Sequence, residues 1–319
     1  MATVVFPTPP LPVTKTSSRW SKIDIRRFRL PRNVVVVAGA DPVLRESYRT
    51  CRRLQRRHDP TFYAATSCLP RDVRPAVHAL YGYVRYADEI ADDPARTRDA
   101  AARRAALDAW QALLEDALAT GRSRHPVVAA LVDAGARHDL PLYRLPRYMD
   151  AMRVDCGPVR MRTTSELDDY MEGSAATVGR IMAPLLGAPP ALAEDVARLG
   201  VAFQLANFVR DVRLDWELDR VYLPGLPEDD LRAGAATPRL RRQVAREVAR
   251  ARALFAETAG VGVALAPSMR TGVRLARAVY GRVLDRIERN GFDVLERRAR
   301  LAPWEATGAV AGALVGAGR

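Results

Sequence analysis

Cysteine, histidine and long apolar runs are scarce in this chain, and each shortage removes a class of protein. The three cysteines, Cys51, Cys68 and Cys156, are odd in number and show no C-x-x-C spacing. A disulfide framework is therefore not expected, and a reducing cytoplasm is the default compartment. The four histidines are scattered with no metal-ligand spacing, so the usual signature of a zinc centre is missing. No apolar run approaches the length that spans a bilayer; the most tempting, Val34 to Ala38, is far too short. Lacking a span does not exclude resting on a membrane surface. The valine run is followed by Gly39 but not by G-x-G-x-x-G, which discounts a dinucleotide-binding strand. Lysine is nearly absent, so arginine carries almost all of the positive charge behind a formal net charge of +13. Such a surface attracts polyanions: nucleic acid, anionic lipid or a phosphorylated substrate. An arginine- and alanine-rich composition also follows from a GC-rich genome.

What is present reads as a single all-α domain. At 319 residues and 48% hydrophobic, the chain can bury a sizeable core. Residues 1–42 hold Pro7, Pro9, Pro10, Pro12 and Pro31 and the basic cluster Arg26, Arg27 and Arg29, with no helical periodicity and no convincing cleavable signal. They are expected to form a poorly ordered extension, with the domain over 43–305 and a short tail over 306–319. Within the domain, segments of helical length are separated by Pro- and Gly-bearing breaks. The pattern predicts helices over Val43 to Arg57, Arg71 to Asp93 (stopped by Pro94), Arg98 to Thr120 (ended by Gly121), Pro126 to His138 and Leu145 to Val154. Thr164-Ser165-Glu166 precedes a further helix carrying Tyr170 and the small-residue run Gly173 to Gly179. Ala191 to Asp215 and two long helices over 239–258 and 268–290 follow. No β-rich stretch, repeat or domain linker is evident beyond the valine run.

Two acidic clusters lie far apart inside apolar helical stretches. Asp88 and Asp92 are four residues apart, and so are Asp211 and Asp215. That spacing puts each pair on one helix face, one turn apart, where like charges repel. Building it twice makes sense if cations fill the gap. Carboxylates alone suit Mg²⁺, which keeps waters and is shared with substrate phosphates. Tyr81 and Arg85 share the first face and offer a phenol and a guanidinium fork for phosphate oxygens. Gln204 and Asn207 share the second. A single D-x-x-x-D is more often a solvated, salt-bridged helix surface; the apolar surroundings and the amide and arginine neighbours of both pairs favour a diphosphate site held through magnesium.

The motifs then resemble those of the phytoene/squalene synthase family, the trans-isoprenoid synthases that join two prenyl diphosphates head to head. The strongest likeness runs from Gln204-Leu-Ala-Asn207-Phe-Val-Arg210-Asp211 to Asp215 and on through Asp219-Arg220-Val-Tyr222-Leu-Pro224. Others are Tyr81 to Asp93, His58-Asp-Pro-Thr61-Phe62-Tyr63, Tyr170-Met-Glu-Gly173 through Gly179, and Tyr280 through Gly291-Phe-Asp-Val. They occur in order over roughly 43–300, and bacterial phytoene synthases are the most similar branch.

The resemblance implies an isoprenoid synthase fold around a central cavity, with Asp88, Asp92, Asp211 and Asp215 as ligands of Mg²⁺, or Mn²⁺ in its place. It implies that Arg85, Gln204, Asn207, Arg210, Arg220 and Tyr222 contact or position diphosphate. Thr61 and Phe62 would sit in a flap-like segment, and Tyr81 and Tyr170 would line the cavity near the reacting carbons. The activity implied is condensation of geranylgeranyl diphosphate to phytoene via prephytoene diphosphate, without NADPH. Alternatives are a squalene- or hydroxysqualene-type synthase using farnesyl diphosphate, and transfer of one prenyl group to an aromatic or other non-prenyl acceptor. Prenyl diphosphates are the expected partners, with membrane-surface contact admitted. A nucleic-acid partner is not expected, because a basic binding groove needs no aspartate pairs. The chain departs from the family pattern at Arg213-Leu214 (usually Gly-Glu), at Thr66-Ser67-Cys68-Leu69 and at Asp219 (usually Gly), which bears on the substrate rather than on the aspartates.

Overall fold

The computed structural model describes residues 41–93 and 99–296, with the backbone alone at Thr61. The expected tail over 306–319, Pro94 and all but the last two residues of the expected extension lie outside the described residues. Local start and stop signals set the helices. Helices α1 (Pro42–His58) and α2 (Pro60–Ser67) begin alike. Asp41 accepts from the Val43 amide at 2.8 Å and Asp59 from the Phe62 amide at 2.7 Å, each just before a proline in the first helical position, where a missing N–H costs nothing. The flap-like segment expected around Thr61 and Phe62 is thus a helix. Helix α3 (Arg74–Asp92) begins three residues later than the periodicity suggests and ends at Asp93, whose φ of 35° is left-handed. Helix α4 (Ala100–Thr120) is capped by Asp99 and ended by Gly121 at φ 69°. Helices α5 (Pro126–His138) and α6 (Leu145–Val154) keep their expected bounds.

Helix α7 (Thr164–Met171) takes in Thr164-Ser165-Glu166, which were expected to precede it; Thr163 caps it, and the Glu166 carboxylate accepts from the Arg162 amide at 2.6 Å. It passes through a π turn, Glu172–Ala176, into α8 (Thr177–Leu185). Helix α9 (Ala193–Glu217) carries the second acidic pair. After it come α10 (Glu228–Ala233), α11 (Pro238–Glu257), α12 (Val261–Ala264) and α13 (Pro267–Arg289). One element was not legible as a strand: β1 (Val159–Arg160) runs parallel to β2 (Arg220–Val221) over two residue pairs. The chain reaches that register because Asp219, just after α9, adopts φ 61°. Glycine reaches this region without strain, whereas an aspartate there must be held. Here Asp219 is held by Arg160, which binds its carboxylate at 2.6 Å.

Packing divides the helices into two groups. On one side α1, α3 and α5 pack on one another, with α4 laid across α3, α5 and α6. Trp110 of α4 is fully buried, donates its indole N–H to the Tyr83 carbonyl at 3.2 Å and stacks on Tyr83 and Tyr86, which fixes the back of α3. On the other side α9 packs on α8, the π turn, α11 and α13. Helix α6 bridges the groups, and α2 lies between α1, α3 and α13. The acidic helices α3 and α9 therefore belong to opposite groups, and their charged faces meet at the junction.

The small residues of the π turn and α8 allow close approach. A Cβ on Gly173 would sit 2.9 Å from the Arg147 carbonyl oxygen, and one on Gly179 would sit 2.7 Å from the Ala197 Cα. Gly179→Ala is expected to cost about 1–3 kcal/mol, because backbone rather than a movable side chain stands in the way. Gly281→Ala, in the open middle of α13 with nothing within 4 Å of its Cβ position, is expected to gain about 0.5–1 kcal/mol. Urea denaturation of both variants measures the two opposite signs.

Candidate active site

All four aspartates of the acidic pairs are buried, which removes the solvated-surface alternative. Exposure is 5% at Asp88, 8% at Asp92, 4% at Asp211 and 2% at Asp215. An isolated carboxylate in such surroundings is costly unless it is paired or neutralised. Two of the four have arginines. Arg220 donates to Asp92 at 2.6 Å, and Arg210 grips the neighbouring Asp211 with both ends of its fork, at 2.9 and 2.5 Å. Burial works against ionisation of Asp92, but Arg220 outweighs it and holds the carboxyl below its ordinary value. Asp88 has a phenol instead: the buried Tyr148 hydroxyl donates to it at 2.8 Å. Burial raises the Asp88 carboxyl well above its ordinary value, with Arg85 opposing and Asp92 adding to the rise.

The two faces are tied together across the junction. Arg220, five residues beyond Asp215, reaches Asp92 at the end of α3 and also donates to the Ala91 and Asp155 carbonyls. Asp59, at the start of α2, is fully buried and acts electrostatically on Tyr81 of α3 and on Arg210 of α9. Arg85 is mostly buried and bonded to Glu89 at 3.1 Å. Gln204 is fully buried with neither amide atom hydrogen-bonded, and the Asn207 Nδ2 and the Tyr81 hydroxyl are likewise without partners. Leaving such groups unsatisfied costs about 1–3 kcal/mol each, so they are suited to a polar ligand. The Asn207 carbonyl oxygen accepts from Tyr280 at 3.2 Å. The departure at Arg213-Leu214 falls off the charged face, since Arg213 pairs with Glu217 at 3.1 Å on the outer side of α9.

A narrow apolar pocket lies near these polar groups. Phe62, Thr66, Leu69, Met182, Phe203 and Val273 are among its lining. Phe62 lies 5.9 Å, ring to ring, from Tyr81, and Phe203 lies 4.5 Å from Tyr280. The pocket therefore opens beside both Tyr81 and the Gln204–Asn207 turn. The Thr61 side chain lies outside the described residues. Tyr170 and Tyr222 come together elsewhere on the junction, where both hydroxyls donate to Asp155 at 2.6 Å and Tyr222 stacks on Phe208. The Tyr222 hydroxyl is thereby committed to a carboxylate.

Asp155, Tyr148, Asp59 and Tyr280 lie among these groups; Asp59 and Tyr280 fall in motifs that carry the family resemblance, but sequence reasoning gave none of the four a role in the site. Asp59-Pro60 carries a readable helix-start signal. Tyr148 and Tyr280 look like ordinary core positions of their helices, and Asp155 has no local signature.

The donor set fits hard divalent cations: it is all oxygen and buried. Among the described residues no three of His, Cys, Asp or Glu are gathered into a ready-made metal cluster.

The burial of Asp215 has a measurable consequence. Burial first, and the Asp211 charge after it, push its carboxyl up to about 7 from 3.8. A folded-state value above the unfolded one means that Asp215 favours folding most below the unfolded value, and that this contribution is lost as pH rises through the folded value. With a chelator present, the unfolding free energy is expected to decline between about pH 4 and pH 7, and Asp215→Asn to flatten that decline. Urea titrations across the range give the slope.

Comparison with known proteins follows the same lines. The squalene/phytoene synthase family model matches residues 55–305. A phytoene synthase of Thermus thermophilus is 37% identical over 261 residues, covering 79% of this chain and 87% of that one. A 15-cis-phytoene synthase of Synechococcus elongatus is 33% identical over 282 residues, covering 82% and 90%. Among solved structures, squalene synthase HpnC from Alicyclobacillus acidocaldarius superposes with a TM-score of 0.72 at 31% identity, over 80% of this chain and 97% of that chain. A ligand-bound dehydrosqualene synthase shares the fold, with a TM-score of 0.75 at 21% identity over 85% and 96%.

Proposed function

The chain belongs to the squalene/phytoene synthase family and is a prenyltransferase of the class that condenses prenyl diphosphates head to head; from that premise we propose that it is a Mg²⁺-dependent phytoene synthase. Its substrate on this reading is geranylgeranyl diphosphate, and its product phytoene, formed through prephytoene diphosphate without NADPH. What supports the reading is the burial of both aspartate pairs, the tie that Arg220 makes to Asp92 while acting on Asp215, the unpartnered amide atoms of Gln204 and Asn207, and an apolar pocket lined by the neighbouring Phe62 and Phe203. Its alignment with phytoene synthases over most of their length supports the choice of product.

Asp88, Asp92, Asp211 and Asp215 would hold the divalent ions, which when bound supply the charge neutralisation that makes diphosphate a leaving group. The side chains of Arg85, Arg210, Gln204 and Asn207 offer donors for the phosphate oxygens. Binding a diphosphate would let Arg210 and Arg220 share their charge between carboxylate and phosphate. Departure of diphosphate leaves an allylic cation, and the apolar lining of the pocket keeps water from quenching it. Phe62, Tyr81 and Tyr170 provide ring faces that attract positive charge. The double bond of a second prenyl diphosphate attacks the cation, and loss of a proton closes a cyclopropyl intermediate that retains one diphosphate. Loss of that group, rearrangement and loss of a proton end in a hydrocarbon. Such a product is insoluble in water, so delivery to a membrane surface is part of the reading. No helix among the described residues is long and apolar enough to cross a membrane.

Purified protein with Mg²⁺ and geranylgeranyl diphosphate, and no NADPH, is expected to yield a forty-carbon hydrocarbon in the lipid extract. A thirty-carbon product from farnesyl diphosphate alone would assign the squalene-type activity instead. Absence of any coupled product would leave transfer to a non-prenyl acceptor as the better account. Asp88→Asn and Asp211→Asn are each expected to lower turnover by at least about 100-fold with unchanged far-ultraviolet circular dichroism. Near-normal rates in either variant would reject the assignment of the aspartates.

A further inference from the structure

Three of the residues discussed above converge on one that no motif marks. Asp155 follows α6 directly and is 1% exposed. One carboxylate oxygen accepts from the Tyr222 hydroxyl and the other from the Tyr170 hydroxyl, each at 2.6 Å. Its main-chain oxygen accepts from Arg220 at 2.6 Å, and the other arm of that guanidinium holds Asp92. The rings are constrained as well. Tyr222 stacks on Phe208 with centroids 4.3 Å apart, and Tyr170 lies 5.2 Å from Tyr222. Phe208 sits on α9 three residues before Asp211. Asp155 therefore ties an aromatic wall to the acidic faces of both α3 and α9.

A tie of purely structural purpose does not call for a charge here. Burying a carboxylate among phenols is costly, and an apolar or neutral filling of the same volume is often at least as stable. A carboxylate does what a neutral group does not. It draws both phenol protons toward itself in short, charge-assisted bonds, which places electron density on the rings. Ring faces enriched in this way attract a carbocation more strongly. Burial holds both phenols protonated far above their ordinary range, so they remain donors to Asp155 at any working pH.

We propose that Asp155 is a positioning residue for the cationic steps of the coupling reaction: it fixes and electronically enriches the Tyr170 and Tyr222 rings, and acts on the reacting carbons only through them. The proposal rests on the coupling reading above and assigns to that site a buried charge that does not touch substrate.

The test compares wild type, Asp155→Asn, Tyr170→Phe/Tyr222→Phe and the combined triple variant in one assay with Mg²⁺ and geranylgeranyl diphosphate. The readouts are kcat, KM, and the ratio of coupled hydrocarbon to released cyclopropyl diphosphate and prenyl alcohol, with near-ultraviolet circular dichroism to check folding. For Asp155→Asn, kcat is expected to fall at least about tenfold while KM stays within about threefold, because a group acting only on the cationic steps leaves diphosphate binding alone. Released intermediate and water-quenched alcohol should rise. The triple variant should lose little more than Asp155→Asn, because all three changes cut the same link. If Asp155→Asn does not fold, the Tyr170→Phe/Tyr222→Phe protein carries the test, with the same fall in kcat and the same by-products expected. Normal turnover in the folded variants, a rise in KM alone, or losses that multiply independently would each overturn the proposal while leaving coupling intact. A wild-type protein that makes no coupled product overturns the coupling reading and this proposal with it.

Discussion

Burying like charges is the constraint on which the rest of this structure depends. Four carboxylates from α3 and α9 are withdrawn from water at one junction, and Asp155 and Asp59 are buried in the same region. Carboxylates so placed raise their proton affinity, as Asp88 and Asp215 do, or recruit cations, as Asp92 and Asp211 do. Among the described residues, Arg210 and Arg220 pair with two of the four, and a protein that invested only in stability would fill the space with apolar side chains. A cluster of buried carboxylates is the property a divalent cation with a diphosphate would exploit.

The fold serves this constraint by bringing two helix groups together without letting the acidic helices pack on each other. The back of α3 is locked by Trp110 and the aromatic residues around it, and α9 is locked by the glycine-lined contact with α8 and by α11. Their inner faces are left to polar chemistry. Between them, α2 supplies Asp59 and the apolar side chains that continue the polar site into the pocket. Arg220 holds the mouth from the far side, set in place by a two-residue parallel pairing that a left-handed Asp219 makes reachable. The arrangement combines a charged entrance with a dry interior, which is what ionisation of a prenyl diphosphate requires.

Legibility in the sequence followed the distance over which each feature is encoded. The acidic pairs were visible because an i, i+4 spacing is local, and so were the helices α5 and α6, bounded by proline and by the end of a hydrophobic period. Whether the two acidic faces meet is not local. It depends on Arg220 reaching Asp92 across 128 positions. Asp155 was invisible for the same reason: its side-chain partners lie 15 and 67 residues away, and nothing around Asp155-Cys156-Gly157 sets it apart from a helix-end aspartate. Helix α2 was missed despite a readable signal, since Asp59 followed by proline is a helix start; its eight residues are too few for periodicity to show. The β1–β2 pairing is two residues long, below what alternation can reveal.

The most direct test of the central claim is to locate the ions. Crystals grown with Mn²⁺ and a non-ionising thio analogue of a prenyl diphosphate, measured at the manganese absorption edge, give that position without reference to turnover. Anomalous peaks in the space between α3 and α9, bridging the analogue to carboxylates of both helices, are the predicted result. Analogue bound with manganese absent from that space, or manganese found only at surface carboxylates, would contradict it.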